Sequence, residues 1–453
     1  MHLTVEQIAG FCNGKVIGDS QKTVTNIVID SRKATQDTMF VAIKGERTDG
    51  HKFVQSTFEQ GAVCALVEQT PETEGTYIVV ESTLQAIKEI AEGYRKNLKA
   101  KVIGITGSVG KTSTKEMVAS ILEQKYKVTK TLGNFNNEIG LPLTVFRVQE
   151  DDDIAILEMG ISDFGEMSRL TKIARPDICM ITNIGQCHLE NLGDRDGVLK
   201  AKSEIFQCMQ ENGTIILNGE DDKLSTIKEV NGVVPKFFGR EENGENFVTA
   251  KNIVDKGMAG TEITIEFQDG EALTALIPVP GEHMVGNALA GAIAGKILGL
   301  SLDEIKAGIE SYQSIAGRNN TIRTENFTIL DDCYNANPMS MKAGIDIISK
   351  SVGRKVAVLG DMFELGEDEL KLHGEVGEHA GKSSIGLLIC VGERSKVMAE
   401  EARKNSSQVV LHYADREEVI EKIGTLLKKG DTILVKASHG MGFDKIVEYL
   451  KSI

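Results

Sequence analysis

The segment 101-KVIGITGSVGKTSTKEMVASIL-122 constrains this chain more than any other. A compact apolar run ends in a glycine-rich turn and passes into an amphipathic stretch with Met117, Val118, Ile121 and Leu122 on one face. Strand, tight loop and helix in that order belong to parallel sheets covered by helices. The strict phosphate-loop pattern G-x-x-x-x-G-K-[ST] requires glycine where Ile105 stands. Ile105 instead extends the buried strand, and Gly107 makes the first turn. Gly107 and Gly110 let the backbone of Gly107, Ser108, Val109, Gly110, Lys111, Thr112 and Ser113 approach phosphate oxygens. Lys111 adds a point charge, the helix start adds aligned N–H donors, and the Thr112 hydroxyl is placed for Mg²⁺. A nucleoside triphosphate is the expected ligand.

At 453 residues the chain exceeds one core, and three α/β domains are expected. A small N-terminal α/β unit spans 1–99, with strands at 24–30, 39–43, 63–67 and 77–80 and a helix over 84–99 running to a basic, polar boundary. A central parallel-sheet P-loop domain spans 100–316, with strands at 154–159 and 178–185, a hairpin turning at Asp269-Gly270, and a helix over 283–298. A C-terminal Rossmann-like domain spans 317–453, with strands at 327–332, 355–360, 386–392, 408–413 and 431–438. Ligands of such sheets bind at the carboxyl ends of strands.

A net charge of −15 argues against nucleic acid or an anionic membrane as partner. The seven cysteines form no C-x-x-C pair and read as reduced thiols. The start, MHLTVEQIAGFCNGKV, carries no signal-peptide pattern, and no run is long enough to span a bilayer. A cytoplasmic location and a monomer are expected.

Several polar residues stand at strand ends or on apolar faces, each with two readings. Glu158 closes the strand IAILEM and either reaches Mg²⁺ beside the loop or caps the following turn. His188 follows ITNIG, where an isolated histidine is usually structural. Lys202 falls on the helical stripe of Val198, Ile205, Phe206 and Met209. There it is either desolvated, with a lowered pKa and an amine able to attack CO₂, or snorkels to the rim, and spacing alone leans to the rim. Asn134, Asn136 and Asn137 form a turn or a substrate loop. Asp331, Asp332 and Asp361 suit ribose hydroxyls or an amine, or cap helices. In the first domain, loop residues Arg32, Arg47 and His51 suit diphosphate oxygens or are solvated charge.

These pieces resemble the Mur ligases, ATP-dependent amide-forming enzymes of peptidoglycan synthesis. The resemblance rests on 30-DSR-32, GERTDGHKF, TGSVGKTST, TLGNFNNEIGLPLT, 158-EMG-160, 183-NIGQCHLENLG-193, 201-AKSEIF-206, 332-DCYNANPMSM-341 and GDMFELG. The YNANP and GDMxELG runs point to the branch that joins D-alanyl-D-alanine to UDP-N-acetylmuramoyl-tripeptide. The resemblance implies ATP, two Mg²⁺ ions and an acyl-phosphate intermediate. By position it implies metal contacts for Thr112, Glu158, His188 and Lys202, the lysine as a carbamate. It implies nucleotide contacts for Asn287, Arg318 and Asp332, a UDP site at Ser31, Arg32, Arg47 and His51, and substrate contacts at Asn136, Asn137, Asn335 and Asn337. The phosphate loop of the family, T-G-x-x-G-K-[ST], matches Thr106 to Thr112. The chain departs from it late: where the family usually reads K-G-S-R, this sequence reads 436-KASHGM-441, leaving Ala437 and His439 without a carried-over role. A related ligase with another acceptor, or a P-loop ATPase acting through partners, are the competing expectations.

Overall fold

A computed structural model of the chain describes residues 1–45, 48–70, 72–240, 246–405 and 409–453. Three larger sheets, beside a two-stranded one near the N-terminus, organise the described residues as three α/β domains. The first sheet has five strands, ordered Lys15–Ile17, Tyr77–Val79, Cys64–Val67, Thr38–Val41 and Asn26–Val28. The expected strand over 24–30 is broken. Thr23–Val24 pairs with Leu3–Thr4 and Asn26–Val28 with Thr38–Val41, so the intervening Thr25 leaves one sheet and enters the other.

The central sheet has nine strands. Lys101–Thr106 lies inside it, flanked in parallel by Ile154–Glu158 and Ile178–Ile181. The chain runs from Lys101–Thr106 to one side, then crosses back to the other, and a crevice opens at the carboxyl ends where the direction reverses. The strand expected over 178–185 stops at Ile181, because Thr182 and Asn183 turn their side chains to the phosphate loop. Thr261–Phe267 and Ala272–Ile277 form the hairpin, with Gly270 at φ +85° in its turn. One face of the sheet buries the helices Lys111–Leu122 and His283–Ile297. The latter is apolar almost all round, as a helix enclosed by neighbours must be.

The other face is continuous with the core of the first domain. The helix Thr83–Asn97 makes this joint. Tyr94 Oη donates to Val148 O at 2.7 Å, and the buried Arg95 donates from Nε to Ala174 O at 2.9 Å. Its basic end is therefore packed against the second domain, where the sequence reads as a polar boundary.

The third sheet is parallel except for its edge strand Asn320–Arg323, with Thr328–Asp331 and Thr432–Lys436 adjacent near the centre. No helix among the described residues is long and apolar enough to cross a membrane. The seven cysteines are free thiols.

Candidate active site

The phosphate loop leaves the strand Lys101–Thr106 at Gly107, whose φ of +149° and closeness to Thr182 exclude a side chain: a Cβ there would lie 1.9 Å from Thr182 Oγ1. Gly110, at φ +82°, starts the helix Lys111–Leu122. Between them the neighbouring strand's end holds the loop. Asn183 Oδ1 accepts from Val109 N–H at 2.9 Å, while Thr182 Oγ1 and Asn183 Nδ2 both donate to Val109 O. Ser108 Oγ accepts from Gly185 N–H at 2.8 Å and from the Cys187 thiol at 3.1 Å. Lys111 Nζ donates to Gly107 O at 2.8 Å, and desolvation draws its amine below the ordinary lysine value against the pull of Glu158.

Glu158 ends its strand beside Ile105, which sets it at the same sheet edge as the loop. Its Oε1 accepts from Asn136 Nδ2 at 2.8 Å. Its Oε2 and the Thr112 hydroxyl oxygen are buried without a hydrogen-bond partner. Buried polar oxygens left unsatisfied need an explanation. A hydroxyl and a carboxylate oxygen beside a phosphate loop are the oxygen donors Mg²⁺ takes, with phosphates and waters completing its shell. The residues present therefore fit such an ion.

Lys202 is 1 % exposed. Its helix, Arg195–Ser203, ends one residue later and continues as a 3₁₀ turn, Glu204–Cys208, so the expected stripe is divided between two elements. Val198, Ile205 and Phe206 of the same stripe are buried with it. The amine does not snorkel, and burial pushes it down to about 8. The nearby positive charge of Lys111 pushes in the same direction, while Cys187 opposes it. His188 adopts φ +51°, and its Nδ1 lies 2.9 Å from Glu364 Oε2 of the third domain.

The third domain faces this edge across a cleft of about 860 Å³. Lys111, Glu158 and His188 line it on one side, and Arg318, Asp332 and Asn335 on the other. Asn287 lies at its side, accepting from Thr114 Oγ1 at 2.9 Å. Asp332 accepts from Asn319 N–H at 3.0 Å and from the buried Lys436 Nζ at 2.6 Å. Arg318 packs its guanidinium 4.0 Å from the Tyr334 ring centroid.

Other polar residues serve the backbone. Asn137 Oδ1 accepts from Gly140 N–H at 2.9 Å, Asn337 caps the helix Pro338–Ser349 reciprocally with Ser340, and Asn335 Oδ1 accepts from Ala336 N–H. Asp361 accepts from Ser395 N–H at 2.8 Å at the start of the helix Ser395–Asn405. Asn137 and Asn337 nevertheless also line the cleft. Among the described first-domain candidates, Ser31, Arg32 and His51 lie outside it. Ser31 begins a 3₁₀ turn, and Arg32 folds back on Asp30 at 2.8 Å with its side chain 87 % exposed. His51 accepts Glu68 N–H at Nε2 and lies 2.7 Å from Asp49 through Nδ1. Arg47 lies outside the described residues.

Sequence reasoning missed Lys115, 1 % exposed, which donates to Thr131 O at 2.7 Å and stands 3.5 Å from Glu158. Its signal was present, since positions 115, 118 and 122 share one helix face. It also missed Asn183 and Lys436, for which strand-end position is the only local cue.

This is a P-loop α/β protein with a nucleotide-type cleft between two of its domains. Three family models match: the catalytic domain of the Mur ligase family at 23–125, the Mur ligase middle domain at 105–295, and the Mur ligase glutamate ligase domain at 317–439. The UDP-N-acetylmuramoyl-tripeptide–D-alanyl-D-alanine ligase of Bacillus subtilis (strain 168) is 36% identical over 99% of this chain and 98% of its own. MurF from Acinetobacter baumannii has a structure that superposes with a TM-score of 0.91 at 30% identity, covering 100% of this chain and 99% of that one. MurF ligase from Thermotoga maritima, in complex with ADP, superposes at 0.83 with 29% identity over 94% of this chain and 97% of its own. The chain belongs to the Mur ligase family, and its class of activity is that of an ATP-dependent, ADP-forming ligase.

Proposed function

We propose that this chain joins D-alanyl-D-alanine to UDP-N-acetylmuramoyl-tripeptide in the cytoplasm, through an acyl phosphate. The observation that carries this reading is the shared cleft, lined by Lys111, Glu158 and His188 of one domain and by Arg318 and Asp332 of the next. Such a cleft suits a reaction in which a carboxylate and a triphosphate, both anionic, must be brought together.

In the proposed reaction the peptide carboxylate attacks the γ-phosphorus of ATP, the bond to the β-phosphate oxygen breaks, and ADP leaves. The dipeptide amine then attacks the acyl carbon, inorganic phosphate leaves the tetrahedral intermediate, and one proton is released. The loop N–H groups and Lys111 hold the phosphates, Asn287 and Arg318 the nucleoside end, and Asp332 the ribose. Mg²⁺, held by Thr112 and Glu158, would supply charge neutralisation on the transferring group. His188 and Lys202 would serve a second ion. A carbamate on Lys202 would turn a buried cation into an anionic oxygen donor, and its lowered pKa favours the neutral amine that reacts with CO₂. Asn136, which already holds Glu158, would also meet the peptide end. Ser31, Arg32, Arg47 and His51 would meet the UDP end. Closure of the third domain would keep water from the acyl phosphate.

The test is phosphate release by the purified protein given ATP, Mg²⁺, the UDP-linked tripeptide and D-alanyl-D-alanine. Release that requires both small substrates is expected. Hydrolysis indifferent to the dipeptide would instead favour an ATPase acting through partners.

A further inference from the structure

His439 stands where the chain departs from its family's usual run, and its surroundings give it a task. Ala437, its neighbour in that run, is fully buried, and a Cβ on Gly360 would lie 2.7 Å from its methyl group. The methyl therefore occupies space that Gly360 leaves open, and the change at Ala437 is one of packing. His439 begins the 3₁₀ turn His439–Met441 and is exposed. Its backbone is held on both sides: Ser438 N–H donates to Asp361 O at 3.0 Å, Ser438 Oγ accepts from Phe363 N–H at 2.9 Å, and Arg416 donates to Met441 O at 2.8 Å.

From this fixed turn the imidazole packs on Tyr334, with ring centroids 5.2 Å apart and planes inclined by 38°. Tyr334 is the residue whose ring meets the Arg318 guanidinium at 4.0 Å. Its backbone is tied there too. Tyr334 N–H donates to Gly317 O at 3.0 Å, and Gly317, at φ +76°, permits the approach. Arg318 makes no side-chain hydrogen bond or ion pair among the described residues, and its Nε is buried without a partner. The tyrosine face is thus what gives that long side chain a direction. Both Arg318 and Tyr334 line the cleft.

We infer that His439 is a positioning residue for the nucleotide: by packing Tyr334 against Arg318 it sets the orientation in which the guanidinium meets ATP. The inference rests on the proposed nucleotide contact of Arg318. It requires a flat ring at position 439, not a charge, and it gives His439 no direct contact with the amine substrate. Preorienting a flexible arginine lowers the ordering cost of binding, so the effect falls on nucleotide affinity.

The full-length protein is compared with its His439→Ala, His439→Phe and Arg318→Ala variants. Each is tested for binding of a fluorescent ATP analogue and for the KM of ATP and of the dipeptide. His439→Ala should weaken ATP binding and raise its KM about three- to tenfold, the range of an aromatic or cation–π contact. The dipeptide KM and the unfolding midpoint should not move, and His439→Phe should stay within about twofold of the parent protein on the same scale. A rise in the dipeptide KM instead, unchanged ATP binding in His439→Ala, or equal loss in His439→Phe each overturns the inference while leaving the nucleotide role of Arg318 standing. Unchanged ATP binding in Arg318→Ala removes that role, and the inference falls with it.

Discussion

Lys115 Nζ stands 3.5 Å from Glu158 Oε2, with both side chains 1 % exposed. A buried lysine of the helix that follows the phosphate loop thus lies against the carboxylate that fits Mg²⁺. It also bonds Thr131 O, whose residue's hydroxyl accepts Glu158 N–H at 3.0 Å, so the two side chains share one anchor. Lys115→Met leaves Glu158 buried without its ion-pair partner, which costs about 3–5 kcal/mol. The Lys115→Met/Glu158→Gln double variant should recover part of that. Urea unfolding of the three proteins checks it, and a single-variant cost below about 1 kcal/mol would show the pair to be solvated.

Gly107→Ala should abolish tight nucleotide binding while the fold persists. The added methyl would lie 1.9 Å from Thr182 Oγ1, the hydroxyl that donates to Val109 O and helps hold the loop. Displacing it, together with strain of about 1–3 kcal/mol at φ +149°, should raise the ATP dissociation constant at least tenfold. Calorimetric titration with ATP measures this, and unchanged affinity would contradict the geometry.

Burial holds the Lys202 amine near 8. The unfolded chain binds this proton more tightly than the folded one, so the position costs stability below pH 8, and the cost is relieved as pH rises towards the ordinary lysine value. Lys202→Met should therefore be more stable than the parent at pH 7, by about 1–3 kcal/mol, with the gap closing by pH 10. Denaturant unfolding across that range reads the slope, and a constant gap would mean no lowered pKa.

The same residue carries a chemical prediction. Lys202→Ala should lose most ligase activity, about 10- to 100-fold, and regain part of it with added formate or acetate. In ¹³C-bicarbonate the parent protein should show a carbamate carbon resonance that Lys202→Ala lacks. Full activity in the alanine variant would remove the lysine from the reaction.

Glu364 of the third domain meets His188 at 2.9 Å, and this contact holds its carboxyl below the usual value. Its side chain is 62 % exposed, so the pair is worth at most about 1 kcal/mol. Glu364→Ala should lower kcat/KM by no more than about fivefold, with less effect at high salt. A loss beyond about 50-fold would place Glu364 in the chemistry rather than in the contact between domains.

Much of the fold was legible because its signals are local. The strand before Gly107, the hairpin at Gly270 and the helix from His283 follow from apolar periodicity and turn chemistry within a dozen residues. Element limits were less so. The strand expected over 24–30 divides between two sheets, and the helix holding Lys202 stops at Ser203. The site was legible as a set of polar residues at strand ends, but not in the tasks of each. Asp361, Asn137 and Asn337 satisfy backbone N–H groups, whereas Thr112 and Glu158 each keep a buried oxygen without a hydrogen bond.

The sequence by itself determined a phosphate loop on a parallel sheet and the family to which the chain belongs, because backbone periodicity, glycine φ and motif spacing are written within short segments. Only the tertiary structure decided that Lys202 is buried rather than snorkelling, that Lys115 faces Glu158, and that Tyr334 joins His439 to Arg318. Those outcomes depend on which groups arrive from distant parts of the chain to cover or pair a side chain. A polar atom's role is set by its partners and its access to water, and neither is encoded in its neighbours along the sequence.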